Sequence, residues 1–165
     1  MNEHLVSAAQ DYAAEHDLII TEPLGSGKDG IVLVARREGK PVDLAIKVHR
    51  ATDSFHREKA VYDRLGRTGI KHVLGFNVPL LMGADDRLRV LEMTIVTRPF
   101  ILDFASAHLD QRPDFPEEIW QEWEREKREQ FEDRWPTVAA IMDEFENLGI
   151  YLMDITPNNI GFLAE

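Results

Sequence analysis

The chain has 165 residues, enough for one ordinary domain or two small lobes sharing a cleft, and 44% of it is hydrophobic against 30% charged, as in a soluble globular protein. Its net charge of −11 argues against a nucleic-acid surface, which needs an excess of lysine and arginine, and the absence of cysteine excludes disulfides, Cys-ligated zinc and a thiol nucleophile. No apolar run approaches the roughly 20 residues of a membrane helix, and Met1-Asn2-Glu3-His4 lacks the start of a secretory signal, so the expected address is cytoplasmic, with no membrane partner. The six histidines (4, 16, 49, 56, 72 and 108) show no pair spaced for a metal on one helix face.

Residues 4–16 are Ala-rich with apolar positions at helical spacing and predict a leading helix. Leu18-Ile19-Ile20 begins a strand that runs into Leu24-Gly25-Ser26-Gly27-Lys28-Asp29-Gly30-Ile31-Val32. Three glycines at this spacing let a backbone pass close over phosphate oxygens, because no Cβ blocks the approach. Residues 31–37 read as a returning strand, residues 38–41 as a turn and residues 42–48 as a third strand. This order decides what the glycines mean. A dinucleotide fold needs a helix directly after its glycines, and Ile31-Val32-Leu33-Val34 is a strand; a Walker A loop needs Gly-Lys-Ser or Gly-Lys-Thr, and Gly30 is followed by Ile31.

Thr52 or Asp53 caps a predicted helix through about Leu65, which Gly66 and Gly69 end. Residues 78–82 and 87–96 predict a hairpin. The composition then turns helical: a short helix at residues 101–109, a long acidic one at 116–133 and a third at 137–148, with Pro136 in its first turn. A strand, a tight polar turn and a second strand follow, over residues 150–163. Trp120, Trp123 and Trp135 read as packing residues, and the acidity of 114–133 as a solvated helix face.

Taken in order, these elements resemble the protein-kinase-like superfamily over residues 18–163. Leu24-Gly25-x-Gly27-x-x-Gly30-x-Val32 is similar to the glycine-rich loop over ATP phosphates, and Ala45-Ile46-Lys47 to the third-strand lysine motif. Lys47 follows Gly25 by twenty-two residues, an interval typical of that family. Glu58 matches the glutamate that pairs with the lysine, and Asp154-x-x-x-x-Asn159, with Pro157 inside it, the catalytic loop. Taken singly, Lys47 and Glu58 are also compatible with a surface ion pair, and residues 154–159 with an Asx-rich turn closing a hairpin.

The resemblance implies an α+β, bilobal fold: residues 1–97 as an N-lobe with a five-stranded antiparallel sheet and one helix, and residues 98–165 as a reduced, mostly helical C-lobe. It implies an ATP-dependent phosphotransferase acting on a hydroxyl, protein Ser/Thr first. The implied catalytic residues are Asp154 as base, with Lys47 and Glu58 organising the phosphates, and Asn159 ligates Mg²⁺. ATP would meet Gly25, Ser26, Gly27, Gly30, Val32, Ala45 and Lys47, with residues 91–94, including Glu92 and Thr94, as the hinge beside adenine. Asp103 is left between a ribose contact and a helix cap.

Three departures qualify this picture. Leu152-Met153 stands where regulated protein kinases usually have His-Arg, which argues against control by activation-loop phosphorylation. Thr156 stands where protein kinases usually have lysine and many small-molecule kinases histidine, leaving the acceptor open between a protein and a small molecule of aminoglycoside or choline type. No Asp-Phe-Gly follows Asn159, so the principal Mg²⁺ aspartate is expected to be missing, as in a minimal kinase, a fragment or a pseudokinase serving as a nucleotide-binding or interaction module. Apolar surface of the reduced C-lobe is expected to be covered either by the helix of residues 116–133 or, failing that, by a protein partner or a second copy.

Overall fold

The computed structural model describes residues 2–164. The fold is α+β. Helix α1 (Glu3–Glu15) leads into strands β1 (Leu18–Ser26), β2 (Gly30–Arg37) and β3 (Asp43–His49), an antiparallel meander. Helix α2 (Thr52–Arg67) and two short strands, β4 (His72–Val73) and β5 (Phe76–Asn77), precede the hairpin of β6 (Leu81–Asp85) and β7 (Val90–Thr94). β7 returns to pair with β3, giving a five-stranded antiparallel sheet in the order β1-β2-β3-β7-β6.

Alternation along the strands sorts the two faces of this sheet. In β3, Leu44, Ile46 and Val48 pack with Leu5, Ala9 and Tyr12 of α1. Ala45 points the other way and joins Phe55, Val61 and Leu65 of α2 in the main core. Lys47 and His49 share the face of Ala45, which delivers the lysine to α2. α1 is anchored by Leu5, Ala9 and Tyr12, each at most 1% exposed. Full burial of such an apolar side chain stabilises by about 1.5–3 kcal/mol.

The second half contains β8 (Phe100–Ile101), β9 (His108–Leu109), α3 (Glu117–Phe131), a 3-10 turn (Glu132–Arg134), α4 (Trp135–Asn147), β10 (Ile150–Tyr151) and β11 (Ile160–Gly161). Phe131 of α3 and Trp135, Val138, Ile141 and Phe145 of α4 continue the core begun by α2. Among the described residues, no helix is long and apolar enough to cross a membrane.

Three local expectations are corrected. Residues 101–109 are not a helix: Ile101 pairs with Ile160, His108 with Tyr151, and between them Asp103 takes a φ of 67°. Pairing with distant strands outweighs a helical propensity worth only tenths of a kcal/mol per residue. The strands either side of Asp154 do not form a hairpin, because β10 pairs with β9 while β11 pairs with β8. The polar turn therefore spans two sheets. Neither Thr52 nor Asp53 caps α2: Ala51 holds that position without a side-chain cap, and Gly66 falls inside the last turn.

Candidate functional site

A cavity of about 890 Å³ opens beneath the β1–β2 turn, against the sheet face that carries Ala45 and Lys47. Its other wall is Leu102-Asp103 and the turn from Asp154 to Asn159. The backbone joins these two segments directly, since the Leu102 N–H donates to the Asn159 carbonyl at 2.8 Å. The β8–β11 pairing thus seats Asp103 beside the 154–159 turn.

Lys47 is the centre of the site. Its ammonium donates to Glu58 Oε2 at 2.8 Å and Oε1 at 3.1 Å, and to Asp103 Oδ1 at 3.2 Å. His49 Nε2 lies 3.4 Å from the same Glu58 oxygen. The Glu58 side chain is 1% exposed and that of Lys47 9%, so this is a buried cluster and not a surface pair. Burial alone lowers the Lys47 pKa, but the charges of Glu58 and Asp103 outweigh it and the net shift is upward. The lysine is firmly cationic. Above it, burial and then the same two carboxylates push the Tyr62 hydroxyl well above its ordinary range.

Asp103 also belongs to a group of three carboxylates. One oxygen from each of Asp29, Asp103 and Asp154 lies within 4.8 Å of the others. At such separations each like-charge pair costs about 1 kcal/mol even in water-like surroundings, and more as water is excluded. A cation relieves that repulsion, and oxygen ligands of this kind suit Mg²⁺. Asn159 lines the same cavity. Its side-chain amide donates to the Asp154 carbonyl at 2.9 Å, and its backbone N–H to the Thr156 carbonyl at 3.0 Å, two hydrogen bonds that close the turn.

The glycines divide into two kinds. A Cβ on Gly25 or Gly27 would meet nothing within 4 Å, so both backbones are open to an approaching group. A Cβ on Gly30 would lie 1.9 Å from the Val48 carbonyl oxygen, so Gly30 is required by the close contact of β2 with β3. Arg50 holds the turn from outside, donating its backbone N–H to the Asp29 carbonyl at 2.8 Å and its guanidinium to the Gly27 carbonyl.

The cavity brings together Gly25, Ser26, Gly27, Gly30, Val32, Ala45, Lys47, Glu58, Thr94, Asp154 and Asn159. Glu92 is elsewhere. It faces α1, where its carboxylate accepts from the Tyr12 hydroxyl at 2.8 Å and pairs with Arg37. The end of β7 and the residues after it, Met93 to Val96, are what reach the cavity. Thr94 spends its hydroxyl accepting from the Leu80 N–H at 2.9 Å. Sequence reasoning missed Asp29 and Asp103 as members of the carboxylate group. The available signal for Asp103 was the apolar run Phe100-Ile101-Leu102 ending in Asp-Phe-Ala.

No protein-family model matches the chain, and a search of curated proteins finds no significant match.

Proposed function

We propose that the chain is a protein-kinase-like, ATP-binding phosphotransferase that moves the γ-phosphate to a hydroxyl, with protein Ser/Thr as the first acceptor class. The observation that carries this reading is Lys47, held by Glu58 and Asp103 under an open glycine turn and facing Asp154 and Asn159 across one cavity. A lysine bound to two carboxylates presents a fixed positive charge to phosphate oxygens. The turn of residues 25–30 covers the phosphates, and the backbone of residues 93–96 meets the base.

The donor set fits Mg²⁺. Asp103 would hold it together with the amide oxygen of Asn159, whose nitrogen is already engaged by the Asp154 carbonyl. The metal supplies neutralisation of the phosphate charge. Asp103-Phe104-Ala105 thereby offers, ahead of the Asp154 turn, the carboxylate that the resembled family places after its asparagine. With this group in the cleft, the main reason for a pseudokinase reading weakens.

Asp154 orients the acceptor hydroxyl and takes its proton as the oxygen attacks phosphorus. The test is turnover of γ-labelled ATP. Asp154→Asn is expected to lower it by about 10²–10⁴-fold, the usual contribution of a positioned base, while ATP affinity survives. Turnover at the wild-type rate in that variant overturns the assignment.

A further inference from the structure

A tryptophan outside the core invites an explanation, because a large aromatic ring gains most from burial. Trp135 sits in the main core and Trp123 packs against it, but among the described residues Trp120 of α3 joins neither core cluster. The chain's three tryptophans line one cavity of about 220 Å³ between α3 and α4, and Tyr151 adds a fourth ring. The rings of Trp120 and Trp123 meet edge to face, at 83° with 5.9 Å between centroids. Two aromatic walls therefore stand nearly at a right angle.

One cation already rests on these walls. The Arg112 guanidinium, which also lines the cavity, lies 4.0 Å from the centroid of the Trp120 ring. Lys127 over Trp123 and Arg128 over Trp135 are farther, both at 5.8 Å. Arg112 is exposed, and among the described residues its guanidinium makes no hydrogen bond or ion pair, so only the ring face holds it. Asp143 and Glu146 of α4 line the same cavity, three residues apart and so on one helix face. Neither carboxylate has an ion-pair partner among the described residues, whereas Glu124 beside them is taken by Arg128 at 2.6 Å. A guanidinium complements such a site: its flat face stacks on rings while its N–H fork binds carboxylates. A quaternary ammonium would use the rings and leave the carboxylates without a donor. The cavity is smaller than the roughly 300 Å³ at which small-molecule sites begin, which favours a single side chain.

We propose that this cavity binds an arginine side chain of a partner protein, which displaces Arg112 from Trp120 and pairs with Asp143 and Glu146. Arg112 stands in for that ligand in the free protein. Its displacement gives up one weak contact and gains charge-assisted hydrogen bonds, which outweigh it. The chain's net charge of −11 draws a basic partner toward the site. Tyr151, Leu152 and Met153 line this cavity, and Asp154, the next residue, lines the larger cleft, so consecutive residues join the two. The proposal needs no nucleotide and does not depend on the phosphotransferase reading.

The probe is a short peptide with blocked termini and one central arginine, compared with versions carrying citrulline or trimethyl-lysine there. Each is titrated into the ¹⁵N-labelled full chain. The indole N–H resonances of Trp120 and Trp123, assigned from Trp120→Phe and Trp123→Phe, are expected to shift saturably at millimolar arginine peptide. Citrulline, the neutral analogue, is expected to produce no shift, and trimethyl-lysine to bind more weakly than arginine. Arg112→Ala is expected to bind the arginine peptide about 2–5-fold more tightly, because the resident cation is gone. Asp143→Asn combined with Glu146→Gln is expected to bind it several-fold more weakly. Its melting temperature should stay near that of the wild type, since both side chains are exposed. No shift in the wild type or in Arg112→Ala, equal shifts with citrulline, or tighter binding of trimethyl-lysine overturns the proposal. So does wild-type affinity in the double variant. Weaker binding in Arg112→Ala overturns it too, since Arg112 would then be part of the cavity wall.

Discussion

Asp103 Oδ1 lies 3.2 Å from Lys47 Nζ across 56 positions of the chain, so the buried lysine is held by two carboxylates from different parts of the fold. A φ of 67° at Asp103 is tolerated by asparagine about as well as by aspartate, so Asp103→Asn removes the charge without straining the backbone. ATP affinity in the presence of Mg²⁺ is expected to fall about 10-fold or more in this variant, in line with the 1.5–3 kcal/mol of a charged hydrogen-bonding group. The gain in affinity on adding Mg²⁺ is expected to shrink with it. Calorimetric titration with and without Mg²⁺ checks both; wild-type behaviour would return Asp103 to a purely structural role.

The glycines of the turn separate fold from ligand. Gly30→Ala drives a Cβ into the Val48 carbonyl and is expected to destabilise the protein by about 1–3 kcal/mol or more, seen as a lower urea midpoint. Gly25→Ala and Gly27→Ala meet open space and are expected to leave the midpoint near that of the wild type while weakening ATP binding. Loss of stability in all three, with affinity untouched, would mean that the turn serves the sheet alone.

Tyr12 and Glu92, both buried, form a polar cluster with the half-exposed Arg37 on the face away from the cleft. Tyr12→Phe is expected to cost about 1 kcal/mol of stability and to leave nucleotide affinity unchanged. Burial first, then the hydrogen bond and charge of Glu92, raise the Tyr12 hydroxyl above its usual value of 10.0. Its stabilisation is complete below that pH. Above it the unfolded chain loses the phenolic proton while the folded chain keeps it, so stability falls with rising pH by up to about 1.4 kcal/mol per unit. Urea midpoints at pH 9 and pH 11 should therefore fall less in Tyr12→Phe than in the wild type. Equal falls would show that Tyr12 does not contribute to the alkaline loss.

What was legible in the sequence was local and periodic. The alternation of Leu44, Ile46 and Val48 against Ala45 and Lys47 is a two-residue pattern, and it put the lysine on the α2 face. Helices α1, α3 and α4 carried their own spacing. Residues 101–109 did not: Ile101, Phe104 and Ala107 suit a helical stripe, and only their pairing partners near residues 150 and 160, remote in sequence, make strands of the flanks. The same blindness hid Asp103, whose value depends on what β11 brings beside it. Glu92 was misleading for a different reason: its neighbours in β7 reach the cleft, and strand alternation turns it the other way.

Thermal unfolding with ATP and Mg²⁺, in the wild type and in Lys47→Ala, tests the nucleotide site most directly. Nucleotide at 100 times its Kd is expected to stabilise the wild-type fold by about 2.7 kcal/mol and raise its melting temperature. The variant starts from a lower melting temperature, because Glu58 and Asp103 lose their counter-ion, and is expected to show no increment on adding nucleotide. No shift in the wild type, or an equal shift in both proteins, contradicts a nucleotide site built on Lys47.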